Sequence, residues 1–298
     1  YGSIAEDAFR RDFTINALYY DVREHEIIDY VGGLEDIADK QVQFIGVPAE
    51  RIAEDPVRIL RAIRFAAKLG FSLDPKLADL YEDAAERLEE IPGARLFDEF
   101  LKLFLSGYGG NVWLELRETP LARSLFPSCN PDNNLVLAAM RNTDQRIAND
   151  QPVTPGFLIA VLLWEDFDFR NKRDNEAGKP EVAYEVALDT LAIQQQHISV
   201  PRRFSIFARE VWQLQSRLEE RNARFIKRTL GNKRFRAAFD FLVLRADYDD
   251  RLKTKAVWWD EIQELDGPAQ EKLISDLPKK SGRRNRRRKQ PPKDFNQY

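Results

Sequence analysis

The chain has 298 residues, 43% of them apolar and 32% charged, with a formal charge of −3, enough length and apolar content for two or three cored domains. No uninterrupted apolar run approaches the ~20 residues of a membrane span. Cys129 is the only cysteine, which excludes an intramolecular disulfide and points to a reducing compartment, the cytoplasm, and His25 and His197 lie too far apart to suggest a His-Cys zinc site.

The chain opens at Tyr1, with Met140 as its only methionine, and reads as the downstream part of a longer protein. Its first 48 residues have mixed α/β character. The apolar and aromatic run over 15–22 predicts a strand, as do 26–31, ended by Gly32-Gly33, and 42–45, ahead of Pro48. Such short strands leave an open edge unless other residues pair with them. From there the pattern is helical. Apolar residues recur every three to four positions over 56–69 and stop at Gly70. Asp74-Pro75 reads as an N-cap followed by proline at the first helical position, opening a helix to about position 88. Further helices are expected over 95–105, 135–147, 155–164, 181–196, 206–218, 223–230 and 235–248, with a polar loop over 171–179.

Two short stretches carry the chemistry. In Arg10-Arg11-Asp12-Phe13-Thr14-Ile15-Asn16, guanidiniums can bind phosphate oxygens in bidentate fashion. Asp12 can accept from a sugar hydroxyl or hold a divalent metal, and Asn16 can donate and accept. A surface salt bridge beside a turn-forming Asn explains the same residues, at under about 1 kcal/mol. In Glu54-Asp55-Pro56-Val57-Arg58-Ile59-Leu60-Arg61, Asp55 and Arg58 stand three apart and share a helix face if the helix begins there. A carboxylate beside a guanidinium matches the pairing edge of adenine or cytosine, an amino donor next to a ring-nitrogen acceptor. Guanine and uracil leave that pair unsatisfied, and unpaired buried polar groups discriminate by up to roughly 10⁴-fold. Arg61, Arg64 and Lys68 extend a basic stripe suited to phosphate or RNA backbone. The alternative is that Asp55 merely caps a helix and the basic residues complement its dipole.

Other features have plainer explanations. Trp113, Trp212, Trp258 and Trp259 could stack on RNA bases, but helix-packing core is the expected role. Asp166-Phe167-Asp168 follows neither a strand nor a Gly-rich loop and reads as surface charge. The run Arg217, Arg221, Arg224, Lys227 and Arg228 fits an RNA groove or a solvated helix face. Nine of the 46 Lys and Arg residues lie between Lys279 and Lys293 with no acid among them, leaving 37 basic and 49 acidic residues, net −12, elsewhere. A basic tail on an acidic body points to a polyanion bound through phosphate contacts, with Arg283, Arg284, Arg286, Arg287 and Arg288 at its centre. A disordered solubilising end is the alternative.

In this order the two stretches resemble the nucleotide-binding motifs of class II nucleotidyltransferases, the group of bacterial poly(A) polymerases and CCA-adding enzymes. Asp29-Tyr30-Val31-Gly32-Gly33-Leu34-Glu35-Asp36 resembles that group's hinge between head and neck, and Arg58-Ile59-Leu60-Arg61-Ala62-Ile63-Arg64-Phe65-Ala66-Ala67 adds a further match. Phe235-Arg236-Ala237-Ala238-Phe239-Asp240, Leu244-Arg245-Ala246 and the basic tail resemble the bacterial poly(A) polymerases in particular. The resemblance implies a mostly α fold: the remnant of an α/β nucleotidyltransferase head (1–48), a helical neck binding base and RNA (49–130), a helical body binding RNA (131–277) and a disordered basic tail (278–298). It implies template-independent addition of AMP from ATP to RNA 3′ ends, promoting RNA processing and decay, with RNA-decay proteins as further partners. By the same resemblance Asp12 is an active-site acid and Mg²⁺ ligand, Arg11 and Asn16 contact ribose and triphosphate, and Asp55 and Arg58 read the base while Glu54 orients Arg58. Arg61 supports the nucleotide, and Arg64, Lys68 and the tail arginines contact RNA. The family's Gly-rich loop and Asp-x-Asp pair, the main Mg²⁺ ligands, are expected upstream of Tyr1, so these residues alone are expected to be inactive. CCA addition to tRNA and a non-catalytic RNA-binding module are the competing functions.

Overall fold

The computed structural model describes residues 2–176 and 182–277. Ser3 starts helix α1 (Ile4–Arg10) with a capping box, its hydroxyl accepting from the Glu6 N–H while the Glu6 carboxylate accepts from the Ser3 N–H. A 3₁₀ turn, Thr14–Asn16, leads into an antiparallel hairpin of β1 (Leu18–Asp21) and β2 (Glu26–Asp29), with Leu18 opposite Asp29. That turn shortens the strand expected over 15–22. The Asp29 carboxylate then accepts from the N–H groups of Val31, Gly32 and Leu34. Gly32, at φ 84°, swings the chain into α2 (Gly33–Ala38). A Cβ on Gly33 would collide with the Thr14 carbonyl, so α2 lies directly against the 3₁₀ turn, where Asp36 accepts from the Thr14 hydroxyl.

Strand β3 (Gln41–Val42) pairs in parallel with β4 (Ser72–Leu73), and the remainder of the strand expected over 42–45 makes a single antiparallel bridge, Phe44 to Phe13. Between them lie α3 (Pro48–Glu54) and α4 (Val57–Leu69). Helix α4 buries Ile59, Leu60, Ala62, Ile63, Ala66 and Ala67 and stops at Gly70, whose φ of 66° favours glycine. Asp74 caps the Lys76 N–H and opens a 3₁₀ segment, Pro75–Leu80, that runs into α5 (Tyr81–Leu88).

Helices form the remainder: α6 (Gly93–Phe104), α7 (Gly109–Arg117), α8 (Pro120–Leu125), α9 (Asn134–Ala148), α10 (Pro155–Leu162), α11 (Trp164–Glu176), α12 (Val182–His197), α13 (Arg202–Glu220), α14 (Ile226–Leu230), α15 (Phe235–Ala246), α16 (Asp250–Glu264) and α17 (Gly267–Ser275). One buried apolar core extends from Phe13 to Ile262. Trp113, Trp212 and Trp259 are fully buried in it and Trp258 nearly so, which makes them packing residues. Phe167 stacks on Trp212 with centroids 4.6 Å apart, while its neighbours Asp166 and Asp168 pair with Arg170 and Lys172 one turn on. Those i to i+4 pairs explain a correction. The loop expected over 171–179 is helical through Glu176, because charge pairs along the helix support a polar run that lacks apolar periodicity. No described helix is long and apolar enough to cross a membrane.

Candidate nucleotide-binding site

Phe13 fixes the first motif. Its ring is fully buried against Phe44, 4.9 Å away, and Phe65 of α4, 5.6 Å away. Backbone bonds from Ile45 N–H to the Asp12 carbonyl and from Thr14 N–H to the Gln43 carbonyl clamp the segment on either side. Neighbouring side chains on an extended segment point to opposite faces, so burying Phe13 turns Asp12 toward the start of α4. There one Asp12 oxygen accepts from Arg58 Nε at 2.8 Å and the other from Arg61 Nη1 at 2.8 Å, with Arg51 Nη2 3.9 Å away.

Arg58 is held on a second side. Its Nη1 donates to Glu54 at 2.7 Å and to the Arg51 carbonyl at 2.8 Å, and no described residue accepts from Nη2. Burial acts to lower the Arg58 pKa, but the bonds to Glu54 and Asp12 outweigh it and hold the guanidinium above its ordinary value. The bond from Arg58 likewise keeps the Glu54 carboxyl below its usual range. Asp55 occupies the extended joint between α3 and α4, at φ −151°. One of its oxygens accepts from the Val57 N–H at 3.2 Å and the other from Arg95 Nη2 of α6 at 2.6 Å. Asp55 therefore does cap α4, and its charge also interacts with that of Arg61, which holds Asp12.

Not every residue singled out in the sequence belongs here in the expected way. The side chain of Arg11 donates to Asp7, to Tyr19 and to the Asn16 carbonyl, so its fork is occupied within the first motif. The bond to Tyr19, then that to Asp7, raises the Arg11 pKa. The Asn16 side-chain oxygen is buried with no hydrogen-bond partner among the described residues, an acceptor left open beside Arg11. The basic stripe on α4 is corrected in part. Arg61 turns inward to Asp12 and lies 3.8 Å from Glu99, while Arg64 is half-buried over the Phe65 ring, 4.5 Å from its centroid. Desolvation lowers the Arg64 pKa. Lys68 alone of the three is exposed. The tail residues Arg283, Arg284, Arg286, Arg287 and Arg288 fall outside the described residues.

Sequence reasoning missed Arg51, Arg95 and Glu99. Arg51 donates to the Arg10 and Arg11 carbonyls and to Glu54, tying α3 to the first motif. Glu99 is 2% exposed, accepts from Lys102 at 2.8 Å and leaves its other oxygen without a partner. A signal was present: Glu99 interrupts an apolar helical stripe of Leu96, Phe100 and Leu103, and a buried acid there requires cations nearby. Nothing local marked Arg95.

As for Mg²⁺, both Asp12 oxygens are engaged by guanidiniums, and no group of three or more His, Cys, Asp or Glu side chains among the described residues could hold a metal ion. These residues do not fit the ion by themselves. Cation donors and carboxylate acceptors meet at the joint between α3 and α4, and the unpaired Asn16 amide oxygen lies in the 3₁₀ turn ahead of the hairpin.

A mixed head segment with short strands is thus followed by a helical body, with this charge cluster at the joint. Three family models match: "Poly A polymerase head domain" over residues 1–43, "Probable RNA and SrmB- binding site of polymerase A" over 70–132 and "Polymerase A arginine-rich C-terminus" over 176–293. Poly(A) polymerase I of Salmonella typhi is 39% identical over 310 residues, covering 98% of this chain and 67% of the relative. A CCA-adding enzyme of Leuconostoc citreum is 40% identical over 161 residues, 54% of this chain and 40% of that enzyme. The solved CCA-adding enzyme of Thermotoga maritima complexed with tRNA shares the fold, with a TM-score of 0.59 at 22% identity over 93% of this chain and 66% of that one. The chain belongs to the poly(A) polymerase family.

Proposed function

We propose that this chain carries the base-reading and RNA-contacting part of a template-independent poly(A) polymerase, a polynucleotide adenylyltransferase that joins AMP from ATP to RNA 3′ ends. One observation carries the reading: Arg58, held by Asp12, and Asp55, held by Arg95, stand three residues apart at the start of α4, each with capacity to spare. The Nη2 of Arg58 is free to donate to adenine N1. An ionised carboxylate oxygen accepts more than one hydrogen bond, so Asp55 can still receive the adenine amino group. Arg58 and Asp55 thus bind and orient the base, Asp12 and Glu54 fix Arg58, and the open oxygen of Asn16 suits a sugar hydroxyl. Arg61 supports Asp12 from behind. The exposed Lys68 and the tail arginines supply phosphate contacts with little sequence preference.

The substrates in this reading are ATP and RNA 3′ ends, with proteins of RNA decay as further partners, in the cytoplasm. The resemblance implies Mg²⁺, for which the described residues offer no donor set. Formation of poly(A) by these 298 residues would overturn the expectation that they are inactive by themselves.

The test is extension of an RNA primer by the full-length protein with each nucleoside triphosphate alone, and of tRNA lacking its 3′ end with CTP plus ATP. The wild type should use ATP alone on the primer. Asp55→Asn and Arg58→Ala should lose most of the preference for ATP over GTP. Efficient CTP incorporation by the wild type would favour CCA addition, and failure with every nucleotide would favour a binding module.

A further inference from the structure

An acid and a base three residues apart, at the start of one helix, have an obvious partner in each other. Here they do not pair: no ion pair joins Asp55 to Arg58, whose only direct bond is from the Arg58 backbone N–H to the Asp55 carbonyl. Each side chain is claimed by something else. Asp12 and Glu54 hold Arg58, and Arg95 holds Asp55 at 2.6 Å. If Arg95 were absent, the Asp55 carboxylate would keep a single backbone bond, and the cations left to it would be Arg58, three residues on, and Arg61, whose charge already interacts with it. Pairing with the free corner of Arg58 would neutralise both groups, and no acceptor-donor edge would face an incoming base.

We propose that Arg95 is a positioning residue that keeps Asp55 and Arg58 from pairing with each other, and so preserves the edge that recognises adenine. The proposal rests on the base-reading role assigned to Asp55 and Arg58 above. Arg95 suits the task because it comes from a separate element whose start is fixed. Gly93, the first residue of α6, accepts at its carbonyl from the Ser199 N–H at 3.0 Å. A Cβ at Gly93 would lie 2.6 Å from the Ser199 hydroxyl and 2.9 Å from the Ser199 nitrogen, so α6 begins in direct contact with the turn between α12 and α13. Phe97, one turn further along α6, stacks on Phe204 of α13 at 5.8 Å. The hold on Asp55 is therefore anchored in the helical body. The Arg95 side chain is 41% exposed, so shortening it opens no buried cavity.

The experiment is a double-mutant cycle in the full-length protein, with Arg95→Ala, Asp55→Asn and the double variant. KM and kcat for ATP and for GTP are measured on an RNA primer, and thermal melting checks folding. Arg95→Ala should raise KM for ATP about tenfold with kcat little changed and lower the ATP-to-GTP preference, while Arg95→Lys, which keeps the charge, should recover part of both. In the Asp55→Asn background, where there is no carboxylate left to hold, Arg95→Ala should add less than about twofold. An unchanged preference in Arg95→Ala overturns the proposal, as do effects that multiply in the double variant. If Asp55→Asn itself leaves the preference intact, the base-reading role has failed, a result distinct from failure of Arg95 alone.

Discussion

Asp12→Asn is the most informative single substitution outside the base-reading pair. It keeps the size and shape of the side chain but removes the charge and replaces one acceptor oxygen with an amide that donates. The two bonds at stake, to Arg58 and Arg61, are each 2.8 Å long. A buried charge-assisted bond contributes roughly 1.5–3 kcal/mol, so two set an upper bound of about 6 kcal/mol. Three facts reduce it. The side chains of Asp12, Arg58 and Arg61 are 18%, 14% and 29% exposed, so solvent screens part of the interaction. Arg58 keeps Glu54, and Asn can still accept one of the two bonds. The expected cost is about 2 kcal/mol, a fall in Tm of ~4 °C for a chain of this length. Because Arg58 loses one of its two lateral holds, ATP affinity should also fall about tenfold. Urea unfolding and ATP titration of the same preparations test both effects. A stability within ~0.5 kcal/mol of wild type, with unaltered ATP affinity, would show that Asp12 does not organise these arginines.

Two further outcomes follow from single groups. Burial pushes the Cys129 thiol up to about 12, so the folded protein should resist iodoacetamide at about pH 8 and take up one equivalent in urea, and rapid labelling of the native state would contradict the packing around it. The bond from Arg251 lowers the Asp249 pKa from 3.8 to about 2, while Asp249 also caps α16 at the Arg251 N–H. A depressed carboxylate pKa stabilises the fold above the unfolded value and ceases to do so as pH falls through the folded one. Asp249→Ala should therefore cost ~1 kcal/mol at neutral pH, and its gap from wild type should close between about pH 4 and pH 2. A gap that does not depend on pH in urea titrations would refute the assignment.

What the sequence determined by itself was local. The three-to-four repeat of α4 and its stop at Gly70 and the cap at Asp74 were legible, because caps, turns and helix faces are set by residues a few positions apart. The polar helix over 171–176 escaped that logic, since charge pairs rather than an apolar face support it. Tertiary structure alone decided which side chains meet. Asp12 reaches Arg58 across 46 positions because Phe13 is buried against Phe44 and Phe65. Arg95 reaches Asp55 across 40 because α6 starts against the turn between α12 and α13. Sequence spacing fixes directions along one helix, whereas the partner of a charge is fixed by how separate elements pack around a common core.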